Sequence, residues 1–503
     1  MSDYEVVIVG AGFSGIGAAI RLRDAGITDF VILEGADDVG GTWRDNTYPG
    51  VAVDIPLIYS YGFDQNARAT RFFPPGGEIK EYADRCVAKH RLEPYIRFGA
   101  RVSRADFDEA DHVWRISIES QDTITARFLV SATGIFTQPR PPGIRGVEDF
   151  TGHTIHTAAW DHDYDLTGKR AAIIGTGASA LQVIPEIARE LAHLDVYQRT
   201  PIWVLPKVDF TIPKALRWLF ERIPLIQTAV RLGANAVVES IFVVAVVHYQ
   251  QVPLLARTAE NIATKHLRRQ VRDPGLRDKL LPRYGFGCKR PSISNRYWRT
   301  FERPNVELVT EPIERITPTG IRTRDGVERR IDTLILATGF RTSERGNIPT
   351  FPTYGLGGVE LGEFWEANRL QAYEGITTPN MPNLWLMFGP YAFSGASYFT
   401  LIDAASSHLV RCIKEARRRD ATFVAVRQEA HERYFAKMLD RARRTIFTNH
   451  CAGSRSYYFD KRGDTPLLRP STTIETWWRS RKFDLNDYRF ETAGVAASAE
   501  QQV

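Results

Sequence analysis

The sequence predicts an α/β fold built from two interleaved Rossmann-like dinucleotide-binding domains and a helical insert. Three observations carry this prediction. Two apolar runs, Tyr4–Val9 and Arg170–Ile174, each lead into a glycine-rich loop and then a helix-like stretch. Two further apolar strands, 128–134 (FLVSATG) and 333–339 (TLILATG), both end in Ala-Thr-Gly, so the plan occurs twice. Between the copies, 223–256 is the most apolar region of the chain and reads as a helix pair. At 503 residues the chain exceeds what one hydrophobic core supports, which also calls for several domains.

In the first unit, Tyr4–Val9 has the valine-rich pattern of a buried parallel strand. GAGFSG follows, with Gly10, Gly12 and Gly15. Gly10 permits the tight turn, Gly12 lets a pyrophosphate approach the backbone, and Gly15 lets helix and strand pack closely. The helix expected over 14–25 turns unpaired N–H groups and a positive dipole end toward the phosphates. The next strand, Phe30–Leu33, ends at Glu34, 34 − 10 = 24 residues after the first glycine. A carboxylate there accepts hydrogen bonds from a ribose diol, so the unit reads as a site for FAD. Phe13, Ser14 and, further on, Val102 are expected among its contacts.

The second unit supplies Gly175, Thr176, Gly177, Ser179 and Ala180 from GTGASA, a helix expected over 179–191, and a strand over 194–198. That strand ends in Gln198-Arg199-Thr200 rather than in an acid. A carboxylate would repel a 2′-phosphate, whereas an arginine pairs with it through charge-assisted bonds. Arg199 and Thr200 therefore mark this unit as a site for NADPH.

Composition bounds the rest. Charged residues make up 25% and the net charge is +6, an ordinary balance for a globular chain of this length. Arginine clusters at 417–419 and 441–444 read as solvated helix faces, and no nucleic-acid motif accompanies them. Four cysteines lie far apart with no C-x-x-C pair, which argues against a disulfide framework, a metal site or a dithiol redox centre. The chain enters a strand at once, so no signal peptide is expected and the cytoplasm is the default location. Pro206, Pro213 and Pro224 fit a linker with helix starts ahead of the apolar insert. The insert reads as a lid or a buried helix pair, with contact to a membrane surface as the lesser alternative. The small, polar tail from Ala493 is expected to lack structure.

Two motifs narrow the class. Residues 40–54 read GGTWRDNTYPGVAVD and fit [A/G]-G-x-W-x-x-x-x-[F/Y]-P-[G/M]-x-x-x-D through Gly40, Gly41, Trp43, Tyr48, Pro49, Gly50 and Asp54. Residues 150–161 read FTGHTIHTAAWD and fit F-x-G-x-x-x-H-x-x-x-W-[P/D] through Phe150, Gly152, His156, Trp160 and Asp161. Together, in this order around the two loops, they resemble the signatures of the type I Baeyer–Villiger monooxygenases, class B flavoenzymes of the two-dinucleotide-binding kind. A third stretch, 284–301, resembles the family segment in which Lys-Arg follows a glycine-rich turn.

The resemblance implies an NADPH- and O2-dependent enzyme that inserts one oxygen atom beside a ketone carbonyl through a C4a-peroxyflavin. It implies that Arg290 is the active-site arginine, that Asp54 orients it, and that Lys289 contacts the 2′-phosphate. A fixed guanidinium favours an anionic peroxide and stabilises negative charge developing on a carbonyl oxygen. Gly41, Thr42, Trp43 and Tyr59 are implied flavin contacts, while His156 and Trp160 are implied to couple the two domains rather than to react. The aromatic and arginine-rich segment 451–488 is a pointer to apolar aryl or linear ketones, with sulfoxidation as a side activity. The alternative is a flavin monooxygenase that oxygenates nitrogen or sulfur. The expected layout is FAD-binding at 1–150 and 343–503, NADP-binding at 151–212 and 284–342, and the insert at 213–283.

Overall fold

A computed structural model of the chain describes residues 2–120, 122–448 and 450–493. From Gly494 on, the tail read above as unstructured lies outside the described residues. The first unit forms an eight-stranded mixed sheet. Its order runs Thr353–Tyr354, Val102–Asp108, Val113–Ile118, Ile124–Ser131, Tyr4–Val9, Phe30–Leu33, Ile96–Arg97. Tyr4–Val9 pairs in parallel with a strand on each side and buries Val6, Val7 and Ile8 completely, which is why that run is apolar without alternation. The first half of Ile124–Ser131 bonds Val113–Ile118, and its second half bonds Leu384–Leu386. The chain thus returns to finish its first sheet only after the second sheet is complete.

The second unit is a five-stranded parallel sheet in the order Val306–Val309, His193–Tyr197, Arg170–Ile174, Thr333–Leu336, His153–His156. Its helix after the glycine loop spans Ala178–Ile187, shorter than the 179–191 expected. The helix carries Pro185, and a tight turn in which Glu190 N–H donates to Ile187 O closes it.

The insert is helical: Lys214–Arg222, Pro224–Val238, a π-helical stretch Glu239–Val244, Ala245–Val247, Pro253–Gln270 and Pro274–Leu280. Pro224, Pro253 and Pro274 each occupy a first turn, where the missing N–H costs no hydrogen bond. Residues 224–247 form one continuous rod.

One expectation is overturned. Cys288 and Cys451 form a disulfide, with Cα atoms 5.3 Å apart across 163 residues of sequence. Cys288 lies in the turn after Gly287, Cys451 follows the short helix Ile446–Thr448, and both belong to one hydrophobic cluster with Phe286 and Ile446. Spacing rules detect local pairs, and this pair is made only by tertiary packing.

His193, Asp195 and Glu307 converge closely enough to resemble a metal cluster. The cation there is already supplied by Arg329, which pairs with Glu307 at 2.8 Å and approaches Asp195 at 3.8 Å.

Candidate cofactor and active site

The first glycine loop is shaped by backbone crowding. Gly10 has φ +107°, and a Cβ on it would lie 2.7 Å from Ala132 O, in the Ala-Thr-Gly strand end. A Cβ on Gly15 would lie 1.9 Å from Gly10 O, so helix and loop touch through backbone alone. The helices Phe13–Asp24 and Ala178–Ile187 begin at Gly12 and Gly177 with no side-chain cap, which leaves their first N–H groups open to an anion. Across the first loop, Gly12 faces Gly41, so two bare backbones border the same space.

Glu34 is buried at the end of its strand. Its carboxylate accepts from Ala11 N–H at 2.8 Å and Ala36 N–H at 3.0 Å, and it pairs with Arg44 at 3.2 Å. Glu34 O in turn accepts from Ala100 N–H, which brings Val102 to this end of the sheet. Trp43, in the short helix Thr42–Asp45, donates its indole N–H to Tyr59 Oη at 3.0 Å, and Ser14 Oγ lies 2.8 Å from Tyr398 Oη.

Arg290 and Asp54, 236 residues apart, meet in a two-point ion pair. Nε donates to Oδ2 at 2.5 Å and Nη2 to Oδ1 at 2.9 Å. Burial raises the Asp54 pKa, but the adjacent guanidinium more than offsets this and holds it below the ordinary value. Burial likewise opposes the charge on Arg290, and Asp54 outweighs it, so Arg290 stays a cation that cannot act as an acid. The side chains keep 20% and 30% exposure. Arg290 lines a cleft with Phe242, Val246 and Val247 of the insert rod, Tyr458 and Leu468. Tyr457 and Tyr458 both act on the Arg290 charge, and neither was singled out in the sequence.

A second cluster is wholly cationic. Burial lowers Lys289 to about pKa 8, reinforced by the charges of Arg199 and Arg455. Arg199 is lowered by burial, then by Arg455 and Arg140. Among the described residues no ion pair is recorded for Arg199, Lys289 or Arg455. Thr176 donates its hydroxyl to Thr200 O at 3.0 Å, which ties the second glycine loop to this cluster. Three cations without a carboxylate are stable only beside an anion or water, so the cluster fits a phosphate. Arg455 was missed because it comes from the C-terminal segment, far from the strand end that the motif marks.

The two signature motifs dock the units on each other. Tyr48 donates to Gln182 Oε1 at 3.1 Å, and Gln182 Nε2 donates to Ala52 O at 2.9 Å. Both bonds land on the helix that follows the second glycine loop. His162, just past the short motif, lies 2.8 Å from Thr47 Oγ1. His156 ends an edge strand of the second sheet, accepts Ala158 N–H on Nδ1 and faces Thr338 Oγ1 at 3.3 Å. Burial lowers its pKa, and no reactive group adjoins it in these contacts. Trp160 packs against the core of the second unit.

Comparisons with known proteins agree with this architecture. A family model described as pyridine nucleotide-disulphide oxidoreductase matches residues 7–251. That span holds one cysteine, Cys86, buried and free, so the likeness concerns nucleotide binding and not dithiol chemistry. A Baeyer-Villiger monooxygenase of Pseudomonas aeruginosa is 36% identical over 99% of this chain and 93% of its own length. Another, of Streptomyces coelicolor, is 35% identical over 96% and 92%. Among solved structures, an oxidized steroid monooxygenase bound to NADP matches with TM-score 0.85 and 27% identity over 98% of this chain and all of its own. OTEMO in complex with FAD and NADP matches with TM-score 0.85 and 26% identity over 97% and 99%.

Proposed function

Since the chain belongs to the Baeyer–Villiger monooxygenase family, we propose that its cleft inserts one oxygen atom beside the carbonyl of an apolar ketone, giving an ester or lactone. The enzyme is an NADPH-dependent flavin monooxygenase with FAD as its cofactor. When bound and reduced by NADPH, the flavin supplies the activated oxygen from O2.

The observation that carries the reading is the Asp54–Arg290 pair set in the cleft wall. The guanidinium places a permanent positive charge where an anionic oxygen nucleophile and the former carbonyl oxygen need one. Asp54 fixes its orientation by two bonds and reduces its net field. The uncapped helix N-termini at Gly12 and Gly177 are where two pyrophosphates fit. Glu34 accepts from the adenosine ribose of the first nucleotide, and Phe13, Ser14, Gly41, Thr42, Trp43, Tyr59 and Val102 border the same cofactor. Arg199, Thr200 and Lys289 hold the 2′-phosphate of the second, joined by Arg455, whose charge acts on Arg199 and Lys289. Phe242, Val246 and Val247 make that wall apolar, which favours aryl or linear ketones over polar substrates. Sulfoxidation is the expected side activity.

A ketone panel run with NADPH and scored by ester product tests this reading. Ester from apolar ketones supports it. Only N-oxides and sulfoxides, with no ester from any ketone, would assign the enzyme to nitrogen and sulfur oxygenation instead.

A further inference from the structure

The outward face of the helix Pro224–Val238 reverses the usual arrangement of a globular surface. Leu225, Ala229, Leu232 and Ala236 follow helical spacing and are all exposed, Leu225 by 77% and Leu232 by 64%. Val230, Gly233 and Val237 widen the stripe. The single charged residue of this helix, Arg231, turns inward, where it donates to Ser60 Oγ at 2.8 Å and to Tyr61 O. Charge inside and hydrocarbon outside is the pattern of a helix in contact with lipid. The rod is long and apolar enough to cross a membrane, but its far end lines the cleft through Phe242, Val246 and Val247. It therefore lies along a surface rather than through it.

The surroundings continue the patch. In the preceding helix Lys214–Arg222, Trp218 is exposed by 58% with Arg222 over its ring. Leu254 is exposed at the start of Pro253–Gln270, which packs against Glu239–Val244. Glu239 accepts Thr473 N–H at 2.8 Å, fixing the helix Thr473–Lys482 beside the rod. That helix exposes Ile474, Trp477 and Trp478, with Arg481, itself paired with Asp403, over Trp477. Lys214, Arg222 and Arg257 are exposed, whereas Glu221 is paired with Arg68. Tryptophans and cations around an apolar stripe match the headgroup level of a bilayer with acidic lipids.

We infer that this face is a docking surface for an anionic lipid bilayer, on which the insert rod rests with its apolar stripe in the acyl boundary. Charge decides against a second copy of the chain. A two-fold interface would bring the same basic rim against itself, whereas acidic headgroups neutralise it. The inference concerns where the enzyme sits and holds whatever it oxidises. A consequence that does rest on the ketone reading is that a lipid-dissolved substrate meets the protein at the element leading to Arg290.

The test is flotation of the FAD-loaded enzyme with equimolar phosphatidylglycerol–phosphatidylcholine vesicles, against phosphatidylcholine alone. The enzyme should float with the acidic vesicles, and added salt should weaken the binding. Leu225→Glu with Leu232→Glu, and separately Lys214→Glu with Arg222→Glu, should each lower binding by about tenfold or more. NADPH oxidation should stay unchanged in both variants. Brominated lipids should quench the Trp218 signal, read as the difference from Trp218→Phe. Wild-type enzyme that stays with the unbound fraction on acidic vesicles overturns the inference. So does a dimer on sizing columns that the leucine substitutions abolish while vesicle binding persists unaltered.

Discussion

Replacing Lys289 with Met probes the cationic cluster directly. In the free enzyme burial and the charges of Arg199 and Arg455 lower this lysine to about pKa 8. A 2′-phosphate turns three mutually repelling groups into three partners of one anion. A hydrogen bond between charged groups contributes about 1.5–3 kcal/mol, and losing Lys289 also relieves its repulsion of the two arginines, so the lower half of that range applies. KM for NADPH should rise about 12–40-fold near pH 7, at about 1.4 kcal/mol per tenfold, with KM for NADH moving less than about twofold. Steady-state oxidation of both nucleotides at saturating ketone measures this. In the wild type, KM for NADPH should climb as pH rises through about 8 and Lys289 loses its proton, and the variant should lack the climb. The effect on folding has a definite sign as well. The folded pKa lies below the ordinary 10.5, so the cost of holding this cation is full below pH 8 and fades between 8 and 10.5. Equal increases in KM for NADPH and NADH would refute the assignment.

Other substitutions report on separate parts of the molecule. Arg290→Ala should abolish ester formation while NADPH still reduces the flavin in stopped-flow absorbance, and ester made at near wild-type rate would remove Arg290 from the reaction. Glu374 is buried between Arg469 and Arg479. Burial raises its pKa, but the two guanidinium groups prevail and bring it to about 2. Its contribution to stability is therefore complete above the ordinary value of 4.5 and is lost as pH falls from there toward 2. Glu374→Gln leaves the buried Arg469 and the half-buried Arg479 short of a partner, and denaturant melts should show a loss of about 3–5 kcal/mol. The Cys288–Cys451 bond closes a loop of 163 residues, for which chain entropy gives a stabilisation of about 5 kcal/mol. Reductant should lower the denaturation midpoint of the wild type and leave Cys288→Ser unmoved, and peptide mapping without reductant should find the two cysteines linked.

What the sequence revealed and what it concealed divide along contact distance. Glycine loops, strand ends and the acid at Glu34 are local, because each follows from which residue a turn or a buried strand tolerates. The Asp54–Arg290 pair was reached only through family resemblance, since nothing within either segment refers to the other. Arg455, Tyr457 and Tyr458 carried no signal beyond the aromatic and arginine-rich composition of 451–488, as their place in the site depends on how a C-terminal loop packs against the second unit. The cysteines misled for the same reason, since a pair formed by tertiary packing has no spacing rule. The insert was legible as helix from its composition, but composition does not say which face a residue occupies. Only the structure shows Arg231 inside and Leu225 and Leu232 outside.

The late return of Leu384–Leu386 to the first sheet has a consequence for synthesis on the ribosome. Chains emerge from the N-terminus and their domains fold as they become available. The second sheet has all five strands once residue 336 has emerged, while the first still lacks Thr353–Tyr354 and Leu384–Leu386. The sheet begun first is thus the last to close, and until then the second half of Ile124–Ser131 presents the bare sheet edge of Leu129 and Val130. A released chain ending near residue 340 should hold a finished second sheet and a protease-sensitive first one.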